Sequence, residues 1–159
     1  MKKGTLLIDL DGTLKTDYDN FVLIAPDAYI IESDGQLYRF LKRPYVDGFL
    51  KEAREKYDIC LATFGKRDYA IKVLDVMGIR SYFDKLLTYE NFRSGNIGNL
   101  GNFILIDNSS EMGRDKIEII DKANDSVSIL KDLIIVDTYS GNNNNNNDDD
   151  VLLKLIERI

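Results

Sequence analysis

The sequence predicts an α/β fold in which a parallel sheet is covered by helices on both faces, and three observations support it. Short, wholly apolar runs recur along the chain, 3.6-residue amphipathic patterns lie between them, and polar residues stand directly after the runs. A strand buried on both faces has no solvent side to alternate toward, so it is written as a continuous apolar stretch. Such stretches alternating with helical patterns imply crossover connections and hence parallel strands.

The runs are Thr5 to Ile8, Ile59 to Ala62, Phe103 to Ile106 and Leu133 to Val136, with Leu86 to Thr88 a weaker fifth. After the first comes Tyr29 to Phe40, β-rich about Asp34-Gly35, a dipeptide that favours tight hairpin turns. Residues 15–43 are therefore read as a β-hairpin insertion. Pro44 can open a helix in which Val46, Phe49, Leu50, Ala53 and Tyr57 share a face. Ala70, Val73, Leu74 and Met77 mark a second helix, with Gly78 placed to cap it. Leu152, Leu155, Ile156 and Ile159 mark a closing helix. Between Lys116 and Leu130 a second hairpin turning at Ala123 to Ser126 competes with a helix over Ile117 to Ala123. Residues 141–150, rich in Asn and Asp, are too polar to pack and read as a solvated loop. The whole, residues 1–159, is expected to be one domain with a Rossmann-like sheet and no large cap.

Composition narrows the chemistry. Lys and Arg number 21 against 27 Asp and Glu, a net charge of -6, which disfavours nucleic acid as a partner. The chain has no histidine, so imidazole acid/base catalysis and His-based zinc sites are excluded. Its single cysteine, Cys60, sits in an apolar run and allows no intramolecular disulfide. The apolar stretch near the N-terminus stops at Asp9, too early for a secretory leader, and no run approaches membrane-spanning length. A soluble, cytoplasmic protein with no membrane partner is expected.

Polar groups cluster where the apolar runs end: Asp9, Thr63, Asp107 and Asp137. The carboxyl ends of strands are where open α/β sheets place their sites. Asp9 and Asp11, two residues apart at a strand exit, project to the same side, and Gly12 lets the chain turn away. Two like charges that close call for a cation or a shared proton. A calcium loop does not fit, because counting from Asp9 the sixth position is Leu14 and the twelfth is Asn20.

These residues resemble the haloacid-dehalogenase superfamily of phosphotransferases. Asp9, Asp11 and Thr13 match its first motif, Thr63 in Leu61-Ala62-Thr63-Phe64-Gly65 its second, and Asp107-Asn108 its fourth. Within that superfamily Leu41 to Leu50, Asp68-Tyr69-Ala70, Asp107-Asn108-Ser109 and the hairpin before Arg43 look like the carboxy-terminal-domain phosphatase branch, also described as NLI-interacting-factor-like. The chain departs from that branch with Gly12 where Glu is usual and Ser110 where Pro is usual.

The resemblance implies a Mg²⁺-dependent phosphomonoesterase. Asp9 would be the nucleophile that becomes an aspartyl phosphate, and Asp11 the acid and then the base. Thr63, Phe64, Gly65 and Lys66 would hold the phosphoryl group, and Asp9, Asp11 through its main-chain carbonyl, Asp107 and Asn108 would hold the metal. The third-motif lysine has no clean counterpart between motifs two and four, so Lys85 and Arg93 are its candidates. Arg43, Tyr29, Tyr38 and Phe40 are read as core packing ahead of substrate contact. The substrate implied is a phosphoserine or phosphothreonine protein. A small phosphorylated metabolite, nucleotide or nucleic-acid end stays open as the alternative, as does a catalytically silent binding protein on the same scaffold.

Overall fold

A computed structural model describes residues 1–17, 26–123, 127–141 and 149–159. In chain order its elements are β1 (Thr5–Ile8), β2 (Tyr29–Ser33), β3 (Gln36–Phe40), α1 (Val46–Lys56), β4 (Asp58–Ala62), α2 (Arg67–Val76), β5 (Lys85–Leu87), α3 (Tyr89–Ser94), β6 (Gly101–Asp107), α4 (Ser110–Ala123), β7 (Ser128–Ile135) and α5 (Val151–Ile156), with a 3₁₀ turn at Arg80–Tyr82.

The apolar runs are continuous because both sides of the sheet are covered. Leu6, Ile8, Ile59, Leu61 and Ile106 pack with α1, α2 and α5 on one face. Leu7, Cys60, Ala62, Phe103 and Leu105 pack with Phe92 of α3 and Ile120 of α4 on the other. The strands form one parallel sheet in the order β5-β4-β1-β6-β7. β1 is central, and Ile8 is level with both Leu61 of β4 and Ile106 of β6. The next residue of each strand therefore emerges at one edge, and these residues are Asp9, Ala62 and Asp107. β2 and β3 form a separate antiparallel hairpin, turning at Asp34 and Gly35, both at positive φ (56° and 74°). This pattern gives a tight turn that matches strand twist.

The architecture is the expected one, with two corrections. The last strand was expected at Leu133 to Val136 but runs from Ser128 to Ile135. It is the sheet's edge strand and Leu130, Lys131 and Asp132 are exposed, so its first half lacks the apolar signature of an inner strand. The second hairpin considered from Lys116 does not form. α4 carries the chain to Ala123, burying Gly113, Lys116 and Ile120 at helical spacing, and β7 then pairs parallel with β6. The turn residues 124–126 and the asparagine run 142–148 lie outside the described residues. Among the described residues no helix is long and apolar enough to cross a membrane.

Candidate active site

Because β1 lies between β4 and β6, the segments that follow these three strands share the walls of one cavity of about 350 Å³. Asp9, Asp11, Thr63, Phe64, Gly65, Asp107, Asn108 and Lys116 are among its lining residues.

Asp9 is buried at 7% exposure and both its oxygens are engaged. Oδ1 accepts from the ammonium of Lys116 at 2.8 Å, and Oδ2 accepts from the Thr13 hydroxyl at 3.0 Å. Lys116 also donates to Asp107 Oδ2 at 2.7 Å and stands 5.3 Å from the centre of the Phe64 ring. One buried ammonium thus faces two buried carboxylates, and one negative charge is left to be relieved. Burial, and secondarily the neighbouring Asp107, pushes the Asp9 carboxyl up to about 7, against the opposing pull of Lys116.

On the other side of Asp9 the geometry suits a hard cation. One heavy atom of the Asn108 side-chain amide lies 2.7 Å from Asp9 Oδ2, 3.0 Å from the main-chain oxygen of Asp11 and 3.2 Å from Thr13 Oγ1. The other lies 3.0 Å from the Thr138 hydroxyl, which can donate or accept. With nitrogen inward, the amide donates to that oxygen cluster. With oxygen inward, the Asn108 oxygen lies from Asp9 Oδ2 and from the Asp11 carbonyl at spacings close to the edge of a Mg²⁺ octahedron, about 2.9 Å for ligands 2.0–2.1 Å from the ion. Carboxylate, peptide carbonyl and amide are the donor types Mg²⁺ takes, and the uncompensated charge has the sign to attract it. The residues present therefore fit the ion. Gly12 allows this packing: its φ is +84°, and a Cβ there would lie 2.4 Å from the Asn108 amide nitrogen.

Asp11 is held by a different pair. Its Oδ1 accepts from the ammonium of Lys15 and, at 2.7 Å, from the Tyr69 hydroxyl, while Lys15 also donates to Tyr69 at 2.9 Å. Burial, and then the adjacent Asp11, pushes the Tyr69 phenol well above its ordinary range, so it stays protonated and donates. Thr63 is buried and accepts from the Gly65 N–H at 3.0 Å. Arg43, buried at 1% exposure, donates to the Thr13 carbonyl at 3.1 Å, the Asp137 carbonyl at 2.7 Å and the Asp149 carboxylate. It braces the turn after β1 from behind.

The cations singled out in the sequence, Lys66, Lys85 and Arg93, lie elsewhere. Lys66 pairs with Asp34 of the hairpin at 3.1 Å and lines an adjoining cleft. The Lys85 ammonium donates to the Ile97 carbonyl, and Arg93 donates to the Tyr89 hydroxyl at 2.8 Å. Neither Lys85 nor Arg93 lines the cavity, and the cation that touches Asp9 is Lys116, which sequence reasoning missed. Its signal was available: a lysine on the buried stripe Gly113, Lys116, Ile120 of a helix opening just after Asp107 needs an anionic partner. Reading Lys116 as the start of a hairpin hid that stripe. The adjoining cleft, about 540 Å³, shares Asp11, Phe64 and Gly65 with the cavity and is walled by Tyr38, Tyr69 and Tyr89.

The family model described as NLI interacting factor-like phosphatase matches residues 4–159. The chain is 38% identical over 122 residues to CTD small phosphatase-like protein 1 of Caenorhabditis elegans, covering 67% of this chain and 24% of that protein. It is 31% identical over 115 residues to the Dictyostelium discoideum protein described as "Probable C-terminal domain small phosphatase", covering 70% and 35%. The solved structure of the fission yeast RNA polymerase II CTD phosphatase Fcp1 bound to beryllium fluoride shares the fold at a TM-score of 0.57 and 17% identity, over 86% of this chain and 42% of that one. The chain thus spans roughly a quarter to a third of the length of the curated relatives it matches.

Proposed function

Since the chain belongs to the NLI interacting factor-like phosphatase family, we propose that it is a phosphomonoesterase that works through an aspartyl phosphate on Asp9. The observation that carries this reading is the division of labour at Asp9: Lys116 on one oxygen and the oxygen cluster of Asp11 and Asn108 beside the other.

The Asp9 carboxylate, Asp11 main-chain carbonyl and Asn108 amide oxygen would hold Mg²⁺, with Asp107 behind them. Bound there, the ion would neutralise charge that builds on the phosphoryl oxygens. Asp9 Oδ1 attacks phosphorus, and the bond from phosphorus to the leaving oxygen breaks as Asp11 gives that oxygen its proton. Asp11 then takes a proton from water, whose oxygen attacks the same phosphorus and releases the Asp9 carboxylate. Lys116 steadies the negative charge passing between Asp9 and the phosphoryl group, and so serves as the third-motif cation in place of Lys85 or Arg93. The Thr63 hydroxyl, which accepts from the Gly65 N–H, donates with the Phe64 N–H to the phosphoryl oxygens.

Asp11 lines both the cavity and the adjoining cleft, so the leaving group of a substrate lies in the cleft. An open, tyrosine-walled cleft suits a phosphoserine or phosphothreonine peptide. The net charge of -6 disfavours a polyanionic nucleic acid.

The test is phosphate release from p-nitrophenyl phosphate and a phosphoserine peptide panel, with Mg²⁺ or EDTA, combined with hydroxylamine trapping of the acyl phosphate. Mg²⁺-dependent turnover and a trapped Asp9 adduct, both lost in Asp9→Asn, are expected. Turnover that survives Asp9→Asn would overturn the assignment.

A further inference from the structure

Lys15 is a buried lysine whose charge the phosphoryl chemistry at Asp9 does not use. Its side chain is fully buried, with the ammonium 4.8 Å from the centre of the Phe40 ring and 5.6 Å from that of Tyr69, and its ion pair is with Asp11. Asp11 and Lys15 also face one another through the backbone: Gly12 N–H donates to the Lys15 carbonyl at 2.7 Å, and the two residues form a short β-bridge. Lys15 itself bridges to Lys42 behind the hairpin.

Burying an ammonium is unfavourable until a partner offsets it, so a charged group at this place calls for a role that its partner explains. Packing between Phe40 and Tyr69 needs only the methylene stem, so packing leaves the charge itself unexplained. What the charge does is specific. Among the described residues, the side-chain donors to Asp11, Lys15 and Tyr69, fall on the same oxygen, Oδ1. A carboxyl group with one oxygen occupied by two donors can carry its transferable proton only on the other.

We infer that Lys15, together with Tyr69, is a positioning residue for the acid/base Asp11: it occupies Oδ1 and so presents Oδ2 to the leaving oxygen. Resting as it does on the phosphatase reading, this role makes Lys15 matter in proportion to how much the leaving group needs a proton. The hairpin contributes through Phe40 and the second helix through Tyr69, so the acid's orientation depends on elements outside the strand that bears it.

The experiment compares kcat/KM for p-nitrophenyl phosphate and phenyl phosphate, the same ring with a good and a poor leaving oxygen, in wild type, Lys15→Met, Tyr69→Phe, Asp11→Asn and Lys15→Met/Asp11→Asn. General acid catalysis contributes roughly 10²–10⁴-fold where it is needed. Lys15→Met is therefore expected to lose about 30-fold on phenyl phosphate and less than about 3-fold on p-nitrophenyl phosphate. Tyr69→Phe should show a smaller loss with the same bias. In the Asp11→Asn background Lys15→Met should cost nothing further, because it acts only through that carboxyl. Equal losses on the two esters, or a further loss in the double variant, would overturn the assignment while leaving the phosphatase reading intact. A wild type with no turnover on either ester would sink both. If Lys15→Met does not fold, Tyr69→Phe decides by the same comparison.

Discussion

The ammonium of Lys116 lies 2.8 Å from Asp9 Oδ1, joining residues 107 positions apart in the chain. The contact exists because α4 leaves the end of β6 and packs its Gly113, Lys116, Ile120 stripe back over the sheet toward β1. Lys116→Met should lower phosphatase turnover by about 10²–10³-fold, the usual cost of deleting one preorganised donor at a developing charge. It should also lower stability at pH 7 by about 3 kcal/mol, because two buried carboxylates lose their partner. Lys85→Ala and Arg93→Ala should keep turnover within about threefold, and a comparable loss in either would return the third-motif role to that residue.

Asp9 makes metal-free stability depend on pH. Its folded-state carboxyl sits at about 7, raised chiefly by burial, against roughly 3.9 when unfolded. Between these values the folded chain binds more protons than the unfolded one, so this contribution is complete below about pH 4 and lost as pH rises through 7. In EDTA, urea unfolding at pH 5 and pH 8 should show Asp9→Asn gaining about 2 kcal/mol on wild type across that interval. An unchanged difference would mean that Asp9 ionises as an ordinary carboxylate.

Gly12 sets the position of the Asn108 amide. Gly12→Ala places a methyl at positive φ and against that amide, which costs about 1–2 kcal/mol of backbone energy and pushes Asn108 off the oxygen cluster. The expected result is a Mg²⁺ requirement raised at least tenfold, read by titrating the ion in the phosphate-release assay, with turnover recovering at saturation. An unchanged Mg²⁺ requirement would remove Asn108 from the metal set.

Cys60 should be inert. It is buried among Leu7, Leu87 and Phe92 on the α3/α4 face, and burial pushes its thiol up to about 12. The native chain should therefore resist a thiol-specific disulfide reagent at pH 8 and react fully once unfolded. Rapid native labelling would mean that this face opens.

The inner strands and the cluster of polar residues at their ends were legible in the sequence. Runs such as Leu6-Leu7-Ile8 and Ile104-Leu105-Ile106 read as strands because both faces are covered. Asp9, Thr63 and Asp107 were legible because each directly follows an apolar run, Asp11 because it stands two residues beyond Asp9, and Asn108 through the family resemblance. Tertiary structure decided what depends on one element folding back over another. Lys116 reaches Asp9 only because a helix after β6 returns across the sheet, and Lys15 is buried beside Asp11 only because a hairpin and a helix close around it. The strand order that sets β1 between β4 and β6 was beyond local pattern for the same reason. Periodicity reports which face of an element is buried, whereas the partner that buries it is chosen by packing among residues distant in the chain.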